Sequence, residues 1–104
     1  MDAHKVIRRY VSMKPSRGTV IPASVRAEVY ARDQGCVAVR AGFTEHVCFG
    51  GRELDHVLVG GTGLKSPSES WNLVTLCAIA HREKTLNGKL WRPALLAYIE
   101  RRDP

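Results

Sequence analysis

Two short β-prone runs separated by a long polar connection are the feature that most constrains the fold of this chain. The runs are ELDHVLV (53–59) and NLVTLC (72–77), and the connection between them is GGTGLKSPSESW. Glycine, serine and proline between two strand-like runs predict a hairpin. A connection of about a dozen residues is uncommon unless it is functional or mobile. The connection is therefore itself a weak indication of a site.

A helix is predicted before the hairpin, over about residues 23–33. Val25 and Val29 stand at i and i+4, which is the spacing of one helical face. Pro22 lies near the expected start, and Gly35 lies where a C-cap is expected. Residues 36–52 follow without a sustained period and are predicted to form an irregular loop.

Two helices are predicted after the hairpin. CAIAHREKTLNGK indicates a short helix that stops near Asn87, and WRPALLAYIERR indicates a last helix with Pro93 near its first turn. Four large apolar side chains recur in the last helix at near-helical spacing, which predicts core packing rather than a ligand site. They are Trp91, Leu95, Tyr98 and Ile99.

Composition favours a single basic domain. The chain has 104 residues, 44% of them hydrophobic and 25% charged, which is ordinary for a soluble globular domain. A net charge of +6 and a pI near 9.7 favour polyanionic partners, although a basic surface can also be only a means of solubility. Residues 1–21 are predicted to be a basic arm, either a phosphate contact or a solvated tail, and 22–104 to be the folded domain.

Cysteine usage and the apolar pattern indicate a cytoplasmic setting. No sustained apolar run resembles an export signal or a membrane span. Three cysteines, an odd number, fit reduced thiols or metal ligands better than a disulfide framework. No Cys-x-x-Cys is present, so a small redox protein is a poor interpretation.

Four polar residues fall on the hairpin and the helix that follows it: Asp55, His56, Asn72 and His81. A helix packed across a hairpin brings Asp55 within reach of His81, so the two could share a divalent ion while His56 stays free. That arrangement suits metal-assisted hydrolysis, in which a neutral histidine deprotonates water. Neighbouring strand residues face opposite ways, so one shared site requires β-structure to bend or end at His56. Taken singly, such an asparagine is usually a turn residue and such a histidine a surface residue.

The combined pattern resembles the HNH endonucleases, specifically the small phage type. The resemblance covers about residues 22–87. It is carried by RDQGC (32–36), Cys48, ELDHV, NLVTLC, His81 and Lys84. It implies an α+β fold with a ββα-metal core, a two-stranded hairpin plus a helix, flanked by an N-terminal and a C-terminal helix.

The resemblance also implies roles for individual residues. His56 would be the general base, Asp55 and His81 would bind Mg²⁺ or Mn²⁺, and Asn72 would hold the His56 segment by hydrogen bonds. The implied reaction is hydrolysis of a DNA phosphodiester to a 5′-phosphate and a 3′-hydroxyl. The implied phosphate-contacting residues are Lys65, Arg82 and Lys84. A phage terminase is the implied protein partner, and the host cytoplasm the implied location.

A structural zinc site is also implied, but the expected ligand pattern is incomplete. Val39 and Ala80 stand where such relatives carry Cys or His. Three candidate ligands remain, which are Cys36, Cys48 and Cys77. Structural zinc almost always takes four protein ligands. His46 is one candidate for the fourth; a water ligand, three buried cysteines without metal, and a chain altered at residue 80 are the alternatives.

A second class of function stays open at this point. A zinc-stabilised module that binds nucleic acid without cleaving it would share the fold and the basic surface. Such a module has no need of a base beside a metal. The presence of all four residues of the Asp55, His56, Asn72 and His81 set therefore favours an enzyme.

Overall fold

The computed structural model describes residues 20–58 and 67–102. Over these ranges the protein is α+β, with three helices and one two-stranded antiparallel hairpin. In chain order the elements are α1 (Ala23–Asp33), β1 (Arg52–His56), a 3₁₀ turn (Ser70–Asn72), β2 (Leu73–Cys77), α2 (Ala78–Leu86) and α3 (Gly88–Arg102). Most of the basic arm and the middle of the hairpin connection, including Lys65, lie outside the described residues.

The hairpin forms where the sequence predicts it, with a shorter first strand. Asp55 lies opposite Val74, and His56 lies opposite Leu73. β1 ends at His56 and a bend follows at residues 57–58, so the apolar run 53–59 is not one continuous strand. The Val57 amide still donates to the Asn72 carbonyl, at 3.0 Å. The chain therefore keeps one backbone bond across the hairpin after His56 and bends at residues 57–58.

Helix α1 has the predicted bounds and is fixed to β2 by a buried carboxylate. Asp33 Oδ2 accepts a 2.8 Å hydrogen bond from the Thr75 amide. Arg32 forms an ion pair with Asp33 and donates to the Leu73 carbonyl at 2.7 Å. The predicted C-cap at Gly35 is wrong by one position, because Gln34 takes the left-handed conformation, with a φ of 53°. Its amide bonds the Tyr30 carbonyl and so ends the helix there.

Helices α2 and α3 close the core over the hairpin. The four side chains predicted to pack in the last helix are all buried. Their helix starts a turn earlier than predicted, because the Asn87 carbonyl already accepts hydrogen bonds from the Leu90 and Trp91 amides. Pro93 therefore lies in the second turn of α3 rather than the first. Phe43 from the loop after α1 stacks on Trp91 with ring centroids 3.8 Å apart, which seats that loop against the core.

No helix within residues 20–58 and 67–102 has both the length and the apolar character needed to cross a membrane.

Candidate functional site

Asp55 on β1 and His81 on α2 lie side by side. Asp55 occupies a buried position of β1, with 2% of its surface exposed. α2 begins directly after β2, so His81 lies one turn from the hairpin. Asp55 Oδ1 is 2.9 Å from His81 Nδ1. The structure thus brings together the two residues that the sequence analysis assigned to one ion.

The donor set at this point fits a divalent cation. His81 Nδ1 and Asp55 Oδ2 are buried, and neither makes an aligned hydrogen bond with a described residue, although Oδ2 forms an ion pair with Lys84. The 2.9 Å approach of His81 to Asp55 is therefore close without being aligned as donor and acceptor. Neighbouring ligand atoms of an octahedral ion with bonds near 2.1 Å lie about 3.0 Å apart. The separation of Oδ1 and Nδ1 matches that spacing.

Lys84 lies inside the site, beside Asp55. The prediction that it contacts phosphate requires an exposed side chain, and the Lys84 side chain is buried. Its side chain is almost fully buried, and Nζ is 3.2 Å from Asp55 Oδ2. Nζ also donates a 2.8 Å hydrogen bond to the His56 carbonyl. An ammonium with these two partners is directed at the strand rather than at solvent. Arg82, by contrast, is exposed on α2.

The buried Asp55 carboxyl has a shifted pKa. Burial raises the pKa of its carboxyl, and the neighbouring Lys84 ammonium and His81 oppose that rise. A buried carboxylate of this kind is stabilised by any added positive charge. The site is therefore prepared to accept a cation.

His56 is half-buried at the end of β1, beside Asp55 in the chain. Its Nε2 lies 3.1 Å from Ser68 Oγ, across the hairpin connection. Burial lowers the pKa of His56, with Lys84 and His81 acting in the same direction and Asp55 opposing them. The imidazole is therefore held towards its neutral form, which is the form that can accept a proton.

Asn72 fastens the segment that follows His56. It is fully buried, and its Oδ1 accepts a 2.8 Å hydrogen bond from the Leu58 amide. Its Nδ2 donates at 3.0 Å to the carbonyls of Leu58 and Pro67. Three bonds from one side chain thus join the two described ends of the hairpin connection.

A second cluster lies at the other end of β2. It consists of Cys36, His46, Cys48 and Cys77, whose ligand atoms all lie within 4.8 Å of one another. Tetrahedral zinc with ordinary bond lengths separates its ligand atoms by about 3.3–3.8 Å. Cys₃His is a common structural zinc set, so this cluster could hold a metal ion such as zinc with only a small contraction.

The environment of the cluster favours a thiolate at Cys77. Burial raises its pKa, but hydrogen bonds from the backbone amides of Ala80 and Phe49, and from His46 and Cys48, bring the pKa down to about 6. Cys77 is the N-cap of α2, where the amides of the first turn converge. Burial and its contacts with Cys36 and Cys77 raise the pKa of Cys48 to about 12. A bound metal cation would stabilise the thiolate form of both Cys48 and Cys77 and so offset the repulsion between their sulfurs.

His46 lies in this cluster with the three cysteines, whereas Val39 and Ala80 do not belong to it. Its Nε2 is 3.2 Å from Cys77 Sγ. The Ile79 amide bonds the Phe49 carbonyl, which draws the end of the loop to the start of α2. Val39 is exposed, and Ala80 contributes only its amide to Cys77. The tight His46-Val47-Cys48 spacing is thus compatible with one cluster.

Sequence reasoning missed two parts of the site. Ser68, the partner of His56, stands in a polar stretch whose composition does not distinguish one serine from another. The role of Asp33 in holding α1 to β2 also has no signal in the sequence, because its partner Thr75 is 42 residues away.

No protein-family model, curated protein or solved structure matches this chain.

Proposed function

We propose that the protein is a metal-dependent DNA endonuclease with a ββα-metal core of the HNH type. The observation that carries the proposal is the 2.9 Å approach of Asp55 Oδ1 to His81 Nδ1, with His56 adjoining Asp55 at the end of β1. A binding module would gain nothing from burying a carboxylate beside an imidazole nitrogen without an aligned hydrogen bond between them.

Each residue then has a defined task. Asp55 and His81 would hold the divalent ion, which when bound stabilises charge on the phosphate and on the leaving oxygen. His56 in its neutral form removes a proton from the attacking water. Asn72 keeps the segment after His56 in place through Leu58. The products are a 5′-phosphate and a 3′-hydroxyl.

DNA is the proposed substrate because the protein is basic and hydrolysis needs a phosphodiester. The net charge of +6 favours phosphate backbones without specifying a sequence. Arg82 is exposed on the same helix as His81 and would contact phosphate. Lys65 is proposed for the same role from the resemblance. A phage terminase partner is a proposal of the same origin.

We further propose that the Cys₃His cluster holds structural zinc. The cluster joins the loop after α1 to the junction of β2 and α2, so the metal would act as a cross-link in a small domain. The proposal thus gives one chain two metal ions, a structural ion in the Cys₃His cluster and a catalytic ion at Asp55 and His81.

Plasmid nicking in Mg²⁺ or Mn²⁺ tests the proposed function. Replacement His56→Ala should lower the rate by about 10² or more, since it removes the proposed base. Glu53→Ala is the control, because Glu53 is an exposed residue of the same strand. Activity that survives His56→Ala would refute the assigned base. DNA binding without cleavage in any divalent ion would instead favour the zinc-stabilised binding module.

A further inference from the structure

Lys84 places its side-chain amino group inside the site that the proposed function assigns to a divalent cation. Only 5% of its surface is exposed. Long lysine side chains usually reach solvent, and full burial of the ammonium is rare unless it is paired. The partners here are Asp55 Oδ2 and the His56 carbonyl. Both belong to the two residues on which the proposed chemistry depends.

The contacts of Lys84 divide the oxygens of Asp55 between two cations. Oδ2 is 3.2 Å from the ammonium, and Oδ1 faces His81 Nδ1 at 2.9 Å. A carboxylate whose second oxygen is held in this way has one oxygen left for an ion. The other contact of Lys84 fixes the peptide of His56 at 2.8 Å, at the point where β1 ends. One side chain of α2 thus orients both the metal ligand and the backbone of the base.

We propose that Lys84 is a positioning residue that reserves Asp55 Oδ1 for the divalent ion, fixes the backbone of His56, and weakens the binding of the ion. This inference rests on the proposed function. An ammonium and a divalent cation that share one carboxylate repel each other strongly in a poorly solvated site. Lys84 thus weakens ion binding and at the same time fixes the geometry of Asp55 and His56. Weak binding by the protein is compatible with an ion that is held partly by water and by substrate.

The proposal predicts opposite effects on ion affinity and on cleavage. Removal of the charge should tighten Mn²⁺ binding about tenfold or more, since the repulsion is lost. The same change should slow cleavage at saturating Mn²⁺, because Asp55 and the His56 peptide lose their common anchor. A residue that only stabilises the fold would, when replaced, weaken both ion binding and cleavage.

The experiment measures Mn²⁺ affinity calorimetrically at pH 8, on the zinc-loaded full chain and without DNA. The variants are Lys84→Met and Lys84→Gln, the second of which keeps a donor for the His56 carbonyl. Lys89→Met is the matched control, because it removes an exposed lysine and the same net charge. Asp55→Asn identifies the site by abolishing the binding measured.

Tighter Mn²⁺ binding in Lys84→Met and Lys84→Gln, with no change in Lys89→Met, supports the proposal. Unchanged or weaker binding in folded Lys84 variants overturns it. Loss of folding in both variants also overturns it, because Lys84 would then serve the fold alone. The nuclease proposal can fail separately: wild-type protein that binds Mn²⁺ at Asp55 but nicks no plasmid refutes cleavage and leaves the Lys84 effect on affinity measurable.

Discussion

His56 carries the pH dependence expected of the site. Its pKa lies below the usual 6.5, first because of burial, and a bound divalent cation would act in the same direction. A base works in its unprotonated form, so a lowered pKa extends activity to lower pH. We predict that the acidic limb of the nicking rate lies below pH 6.5, measured over a pH series at constant ionic strength. A limb above pH 6.5 would contradict the environment described for His56.

Replacement of Asn72 should lower the free energy of unfolding. Replacement Asn72→Ala leaves the Leu58 amide and the carbonyls of Leu58 and Pro67 without their partner. We expect a loss of about 3 kcal/mol in the free energy of unfolding, the scale of several buried groups left unsatisfied. Urea denaturation measures it. Asn87→Ala is the control, since Asn87 is exposed, and equal stability of the two variants would contradict the proposed clamp.

At the scale of elements, the loop that carries Cys48 passes very close to the start of α2. Gly50 has a φ of +86°, and a Cβ added there would lie 2.5 Å from the Cβ of Ala78. Gly50→Ala should therefore destabilise the protein by about 1–3 kcal/mol through backbone strain and overlap. It should also weaken zinc binding, because Cys48 would be displaced.

Gly51→Ala is the matched control for that change. Apart from its chain neighbours, no atom of residues 20–58 and 67–102 lies within 4 Å of its added Cβ, and the glycine does not need a left-handed φ. Thermal melting and zinc content of the two variants provide the comparison. Indistinguishable variants would show that the close approach of the loop to Ala78 is not required.

The elements themselves were largely predictable from the sequence, because their signals are local. Helix α1 follows from the Val25 and Val29 spacing and starts directly after Pro22, and the burial of Trp91 and its neighbours follows from the period of α3. The predicted start of α3, near Trp91, was wrong by one turn, since the helix begins at Gly88. Its first turn, GKL, has no apolar period, and the carbonyl of Asn87 decides its start. Local pattern does not report such backbone bonds.

At the scale of the whole molecule, the Cys₃His cluster links segments far apart in the chain. We predict that the purified protein contains about one equivalent of tightly held zinc, as a complete four-ligand set would bind. Its removal should lower the melting temperature, since binding of a structural metal contributes to folding. Metal analysis and thermal melting of wild type and Cys77→Ala measure this. Zinc-free wild-type protein that melts at the same temperature would contradict it.

The two clusters differed in how far the sequence predicted them. The pairing of Asp55 with His81 follows from a hairpin and a helix that are consecutive in the chain, and the structure places the two atoms together. His46 was only one of several candidates for a fourth ligand. Its position depends on an irregular loop seated by Phe43 on Trp91 and by Phe49 on α2. Contacts of that kind join distant residues and leave no period in the sequence.

The position of Cys77 as N-cap of α2, with His81 four residues later, also limits how the length of this protein can change. One residue inserted between them would rotate His81 by about 100° relative to Cys77. His81 would turn away from Asp55 while the sulfur stayed with its cluster. Insertions and deletions should therefore be absent between these two positions in any relative that keeps both sites.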